Sequence, residues 1–334
     1  MPARFGKMRK RYVIHSPNWL GDAVMFLPAW RLWRQVHADA DVAVVAKGRV
    51  AALWRLVRDV GEIVVLNDGA AESRKCVEAL RRFRPFEAIA VPASFRSAWL
   101  MWRGGAASVR GTAGQFRFPF IADRVSLRGL ESAHQSLEYA RIMGVEGGPL
   151  PPPSNAIDFS RLPQVDISGA GDGCLAILPG AARGGSKRWP AEFFARTAQM
   201  ALDAGLFRSV AVCGTPGEAA ECAGVAERIG DRACNLCGRT GLPDLAAILA
   251  RSGAVLCNDS GGMHLASAMG APVAAVFGIT DPAKTGPLGN AAVVAAEGVR
   301  HSRAVPRESK EAERALRSVS PERVFEALSK VTRK

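Results

Sequence analysis

The chain has 334 residues, 48% of them hydrophobic, which supplies a large core, favours two domains over one and excludes a disordered polypeptide. Lysine and arginine number 44 against 31 acidic residues, giving a net charge of +13 and a pI near 10. That excess calls for an anionic partner: phosphate, nucleic acid or an acidic membrane surface.

The basic residues Arg4, Lys7, Arg9, Lys10 and Arg11 lead straight into Tyr12-Val13-Ile14-His15, an apolar run too short for a signal peptide. No segment approaches the roughly 18 to 20 apolar residues of a membrane span. The sequence therefore reads as a soluble, cytoplasmic protein whose contact with a membrane would run through its basic surface. From residue 11 to 110 short apolar runs alternate with amphipathic ones: YVIHS, a helix over about 22–36, VAVVA, a helix near 49–58, IVVL, a helix near 73–83 and AIAVP. This alternation predicts βαβ units and a parallel sheet. A helix around 133–143 comes next, and then EGGPLPPPSNAIDFS at 146–160, whose prolines and glycines stop any periodic element. The domains are read as 1–150 and 166–334, with 151–165 as the linker.

The alternation restarts with CLAILP, a helix over 190–204, SVAVC, a helix over 216–229, a strand near Cys234, a helix over 242–252, AVLC, a short helix after Ser260, and PVAAVFG. The polar stretch 297–318 reads as a charged connection without a motif. A final helix over 321–331 has Ser320 as its N-cap and the N-terminal half as an alternative docking place. The whole is an α/β chain of two doubly wound halves, in which ligands bind beyond the carboxyl ends of the strands. The informative loops occupy that end: SPNWLGD after the first strand, PGAARGGSKRWP after the first strand of the second half, and the turn after Cys257.

That last turn, Asn258-Asp259-Ser260-Gly261-Gly262, opens a short helix. The first N–H groups of a helix have no partner within it, and the macrodipole is positive there, so Ser260, Gly261 and Gly262 can offer donors to a phosphate. The plainer alternative is that Asp259 or Ser260 caps the helix and the glycines make a tight turn. Gly180 to Lys187, GAARGGSK, resembles a P-loop out of register, because serine precedes the lysine. Lys187, with Arg183 and Arg188, still fits a diphosphate; a solvated basic loop is the alternative. Asp22 sits where the first strand ends, either as an N-cap or as a general base taking a proton from an acceptor hydroxyl. His264 falls near the anion-binding turn. The CxxC at Cys234 and Cys237 lacks a second pair at zinc spacing, Asp39-Ala40-Asp41 lies at the wrong end of the sheet for a ligand, and GxGxxG is absent from the first strand-to-helix turn. No cofactor and no metal are called for.

Five ordered blocks resemble the bacterial lipopolysaccharide heptosyltransferases of glycosyltransferase family 9: SPNWLGDAV at 16–24, VPASFRSAW at 91–99, LPGAARGGSKRWP at 178–190, NLCGRTGLPDLAAILARSG at 235–253 and NDSGGMHLASAMGAPVAAVFGITDP at 258–282. The KRWP loop and the NDSGxMH turn look closer to the heptosyltransferase II branch than to branch I. The resemblance implies a GT-B fold of two facing Rossmann-like domains, with the acceptor on the N-terminal half and ADP-heptose on the C-terminal half. It implies an inverting glycosyltransferase that needs no metal and transfers heptose to a heptosyl-Kdo inner core at the anionic inner membrane. By motif, Asp22 matches the catalytic base, Lys187 the lysine on the donor phosphates, Asp259 and His264 the donor turn, and Glu218 the acidic residue near the nucleotide ribose. Asn18, Arg96, Arg110 and Arg117 fall where the acceptor would lie. The chain departs from the branch II loop by carrying Ala182-Arg183-Gly184-Gly185-Ser186 where an acidic residue is usual. Another nucleotide sugar or core acceptor is thus an alternative, as is a non-catalytic anion binder. A nucleic-acid partner is not expected, because the basic residues are spread out and the motifs sit at strand ends.

Overall fold

The computed structural model describes residues 9–167, 170–182, 184–301, 306 and 308–332. The chain divides into two compact units between Pro151 and Pro152. The first runs β1 (Arg11–His15), α1 (Leu20–Val36), β2 (Asp41–Lys47), α2 (Gly48–Leu56), β3 (Glu62–Leu66), α3 (Ala70–Phe83), β4 (Glu87–Ala90), α4 (Phe95–Arg103), β5 (Ser108–Thr112), β6 (Asp123–Val125) and α5 (Gln135–Met143). Its strands pair in the order β3-β2-β1-β4-β5-β6 with every pairing parallel, His15 lying between Val45 and Ala90. Val13, Ala43, Val45, Ala88 and Ala90 are buried in one apolar cluster beneath α3 and α4. The central strands are covered on both faces, which is why they read as continuous apolar runs and not as alternating ones.

The second unit runs β7 (Leu175–Leu178), α6 (Ala191–Asp203), β8 (Val210–Val212), α7 (Ala219–Ile229), β9 (Ala233–Asn235), α8 (Leu242–Arg251), β10 (Ala254–Asn258), α9 (Gly261–Ala268), β11 (Val273–Phe277), α10 (Pro282–Thr285), β12 (Ala291–Ala295), α11 (Lys310–Arg317) and α12 (Pro321–Val331). Its sheet, β12-β11-β10-β7-β8-β9, is again wholly parallel and repeats the strand order of the first unit. Both are Rossmann-like, the GT-B pattern expected from the sequence. In each, strand order reverses beside the first strand, between β1 and β4 and between β7 and β10, and the crevice at such a reversal is where open α/β sheets bind ligands.

Several elements escape the sequence reading. Strands β5 and β6 are short and polar, and α4 carries apolar residues around most of its circumference, so neither shows a clean period. The stretch 297–318 is corrected: Lys310–Arg317 within it is a helix, capped by the Ser309 hydroxyl accepting from Ala312 N at 3.3 Å. Its buried stripe is only Ala312, Ala315 and Leu316, two of them alanines, which leaves little hydrophobic signal. Helix α12 is capped by Ser320 as expected, its hydroxyl accepting from Arg323 N at 3.3 Å. Val324 and Leu328 sit in the second core with Val319. The final helix thus packs within the second unit, against α6 and β12.

Candidate active site

In the second unit two loops meet at the β7/β10 reversal. The chain leaves β7 through Pro179 and Gly180, makes a single 3-10 turn at Gly185–Lys187, and enters α6 behind Pro190. Asn258, fully buried at the end of β10, ties this loop to the turn after β10: its Oδ1 accepts from Trp189 N at 2.9 Å and its Nδ2 donates to Pro179 O at 2.7 Å. Trp189 is buried against Phe193 and Phe194 and donates from Nε1 to Val319 O at 3.0 Å. Held this way, Lys187 places its ammonium on Asp259 Oδ2, and the same oxygen accepts from Thr280 Oγ1 at 2.8 Å. The pair is shielded, with side chains 16% and 8% exposed.

Next to that pair, α9 begins at Gly261 with Ser260 in extended backbone and no side-chain cap. Asp259 and Ser260 therefore do not cap the helix as the plainer reading had it. Ser260, Gly261 and Gly262 are partly exposed residues, and their amides, without partners inside the helix, are left to a ligand or to water. Gly262 packs closely on β7, since a Cβ there would lie 2.7 Å from Leu178 Cδ1 and that side chain would have to shift. His264 is buried in the same helix. Glu218 closes the other side: its Oε2 accepts from the N–H and hydroxyl of Thr215, both at 2.8 Å. That carboxylate crosses Gly180 so closely that a Cβ on Gly180 would fall 2.1 Å from it. Arg188 is turned to Glu221 and to Ala181 O at 3.4 Å, a tether from the loop to α7. Arg183 lies outside the described residues. Helix α11 packs against the 185–187 turn, so the charged stretch near the C-terminus helps to seat Lys187.

In the first unit Asp22 lies in the first turn of α1 but is not its cap, a position held by Trp19 without a side-chain bond. The Asp22 carboxylate is held from α5: Gln135 Nε2 donates to Oδ1 at 3.1 Å and to the Tyr139 hydroxyl at 2.6 Å, and Tyr139 also bonds Asp22. Burial, then the Asp22 charge, pushes the Tyr139 hydroxyl well above its usual range, so it stays protonated and a donor. Asn18 keeps a buried side-chain oxygen with no hydrogen-bond partner among the described residues. Arg96 reaches Ser73 Oγ at 2.8 Å and Asn67 O at 3.1 Å, at the same carboxyl end of the sheet. Beneath it His15 is buried. Its pKa falls to about 3, first through burial and then through Arg96 and Lys47.

Two acceptor candidates are corrected. Arg117 is fully buried, its guanidinium donating to Pro92 O at 2.6 Å and to Thr112, which withdraws it from any solute. Arg110 is engaged by Asp123 and by the carbonyls of Ile142 (2.7 Å) and Arg141 (3.1 Å), a brace between β5 and α5. A cavity of about 670 Å³ opens at the amino ends of the strands beside Arg11, Asp41, Asp59 and Glu62, away from every one of these loops. It is not the candidate site.

The sequence model of Glycosyltransferase family 9 (heptosyltransferase) matches residues 74–314, well over half of the chain. The chain belongs to glycosyltransferase family 9. This family 9 member is 26% identical over 306 residues to lipopolysaccharide heptosyltransferase 2 of Escherichia coli K12, covering 85% of this chain and 87% of that one. The structure of E. coli ADP-heptose LPS heptosyltransferase II superposes with a TM-score of 0.78 at 23% identity, over 96% of this chain and 98% of that one. E. coli heptosyltransferase WaaC with ADP gives 0.75 at 20% identity, over 96% and 100%. The fold is therefore that of these family 9 enzymes, and the chain is a glycosyltransferase.

Sequence reasoning missed Asn258 and Thr280 beside the Lys187 loop of the second unit, and Gln135 and Tyr139 beside Asp22 in the first. The first two stand inside quoted blocks, NDSGG and GITDP, where a buried polar residue at a strand end was the available signal. Gln135 lies 113 positions from Asp22 and carries no local signal at all. Among the described residues no group of three or more His, Cys, Asp or Glu side chains is placed to hold a metal ion, and no helix is long and apolar enough to cross a membrane.

Proposed function

We propose that this glycosyltransferase transfers heptose from ADP-heptose to the heptosyl-Kdo inner core of lipopolysaccharide, with inversion, on the cytoplasmic face of an anionic membrane. The observation that carries the donor half is the Lys187–Asp259 pair beside the uncapped start of α9. The diphosphate docks on the amides of residues 260–262, and Lys187 swings its ammonium from Asp259 to the phosphate oxygens while Thr280 keeps Asp259 bonded. Glu218, fixed by Thr215, faces the ribose, and His264 borders the phosphate site. Charge growing on the leaving ADP is met by groups already oriented, worth about 3 kcal/mol per well-placed donor. In this reading no metal is required, because the ammonium and the amides supply the positive field.

In the acceptor half, Asp22 takes the proton of the attacking hydroxyl. Gln135 and Tyr139 donate to it and fix its direction, and Asn18 stands in the loop just before it. Arg96 lies at the same sheet end to meet an acidic inner-core group. Support for the substrate pair comes from the names of the relatives and from the ADP held by one of the structural neighbours.

The test joins a thermal-shift panel of ADP, UDP, GDP and ADP-heptose to turnover assays of Asp22→Ala. ADP and ADP-heptose raise the melting temperature by mass action, and Asp22→Ala keeps that rise while losing turnover. Stabilisation by UDP or GDP without ADP refutes the donor, and an Asp22→Ala enzyme with most of its activity refutes the base.

A further inference from the structure

The α4 face of the first unit holds large aromatic side chains in water. Phe95 and Trp102, at i and i+7, share one side of the helix with the half-buried Trp99, and Arg96 and Arg103, each one residue further on, run along its edge. Phe95 is 46% and Trp102 48% exposed. The segment between β5 and β6 adds Phe116 at 84% and Phe118 at 54%. Phe120 joins the two pieces, its ring 5.3 Å from Phe95, edge-on, and 5.3 Å from Trp102.

This presentation is built into the chain. Gln115 and Phe116 adopt left-handed backbone, φ +47° and +56°, a conformation that bulky side chains rarely take. Arg117 between the two phenylalanines is the anchor: its buried guanidinium on Pro92 O and Thr112 pins the segment while Phe116 and Phe118 turn outward on either side. Clustered exposed aromatics of this kind mark a surface that something covers. Arginines surround it, with exposed Arg103 and Arg81 linked by the Arg81 Nε to Arg103 O bond at 3.0 Å, and Arg82 next on α3.

We propose that this face docks the protein on an anionic lipid bilayer, with Phe95, Trp102, Phe116 and Phe118 entering the headgroup boundary and the arginines meeting lipid phosphates. Aromatic rings with a cationic rim match the interface of an acidic membrane in both polarity and charge. A symmetric contact with a second copy would set the same arginines against one another. The inference rests on the reading above in that a lipid-linked acceptor has to be met at a membrane, and it gives that membrane contact its residues.

The experiment is co-sedimentation of the full chain with vesicles of phosphatidylethanolamine and phosphatidylglycerol, against vesicles of phosphatidylcholine alone. The parent protein binds the anionic vesicles and is released by high salt. Phe116→Ser/Phe118→Ser, both at exposed positions, lowers partitioning by ~10-fold, about 1.4 kcal/mol of lost burial. Arg81→Glu/Arg103→Glu lowers it at low salt. The ADP-induced rise in melting temperature stays unchanged in both variants, so failure of the donor reading would appear there and failure of the docking surface in the sedimentation. Equal binding of parent and phenylalanine variant, equal binding to neutral vesicles, or no binding at all overturns the proposal. So does a parent dimer that the phenylalanine variant turns into a monomer with lipid binding intact, which would give the patch to a second copy.

Discussion

Replacing Lys187 by methionine strands a buried carboxylate. Asp259 Oδ2 takes one bond from the Lys187 ammonium and one from Thr280 Oγ1, and its side chain is 8% exposed. Removing one member of a shielded ion pair costs about 3–5 kcal/mol, because the charge left behind is neither hydrated nor matched. Residual access around the lysine favours the lower end, about 3 kcal/mol. For a unit of this size each kcal/mol moves the melting temperature by about 2–4 °C, so Lys187→Met should melt about 6–12 °C below the parent. Lys187→Met/Asp259→Asn removes both charges and keeps an oxygen for Thr280, and it should recover at least half of that loss. Calorimetry on the parent, both single variants and the double variant closes the cycle, with an expected coupling of about 2 kcal/mol. ADP should stabilise the parent and fail to stabilise either variant that lacks Lys187. A Lys187→Met protein melting within about 1 °C of the parent, or a cycle without coupling, would refute the shielded pair and with it the account of how the lysine is kept in reserve for phosphate.

Other outcomes follow from the same geometry. His15 has its pKa lowered from 6.5 to about 3, so the unfolded chain binds a proton at that residue which the folded one refuses. Its contribution is present above pH 6.5 and is lost as the pH falls toward 3, amounting to about 2 kcal/mol by pH 5. Melting curves between pH 7.5 and 5 should fall less steeply for His15→Leu than for the parent, and parallel curves would exclude the linkage. Gly180→Ala would bring a methyl to 2.1 Å from the Glu218 carboxylate, so Glu218 has to leave Thr215. ADP affinity should drop by about tenfold or more with the melting temperature little changed, and isothermal calorimetry with unchanged affinity would remove Glu218 from the nucleotide site. Gln135→Leu takes a donor from Asp22 while leaving donor binding alone; kcat should fall with the ADP response intact, whereas an unchanged kcat would show that Asp22 needs no support from α5.

The sequence alone determined the two doubly wound halves and the glycine-rich and polar loops at the carboxyl ends of their strands. These are local matters. A strand buried on both faces has to be written as an apolar run, and a phosphate turn has to be written with glycine and small polar residues, wherever the rest of the chain goes. The exposed period of α12 and its Ser320 cap were legible for the same reason. Only the tertiary structure decided which charges are free and which are already used. Arg110, Arg117 and Arg188 look alike in the sequence, yet Arg117 is buried as an anchor, Arg110 braces two elements and Arg188 is tied to Glu221. Asp22 reads as a helix cap until α5 brings Gln135 and Tyr139 to it, and the charged stretch carrying α11 reads as a connection until it packs behind the Lys187 turn. A side chain's availability depends on partners far away in the chain, and the spacing of residues along a polypeptide carries no record of where a fold will bring them.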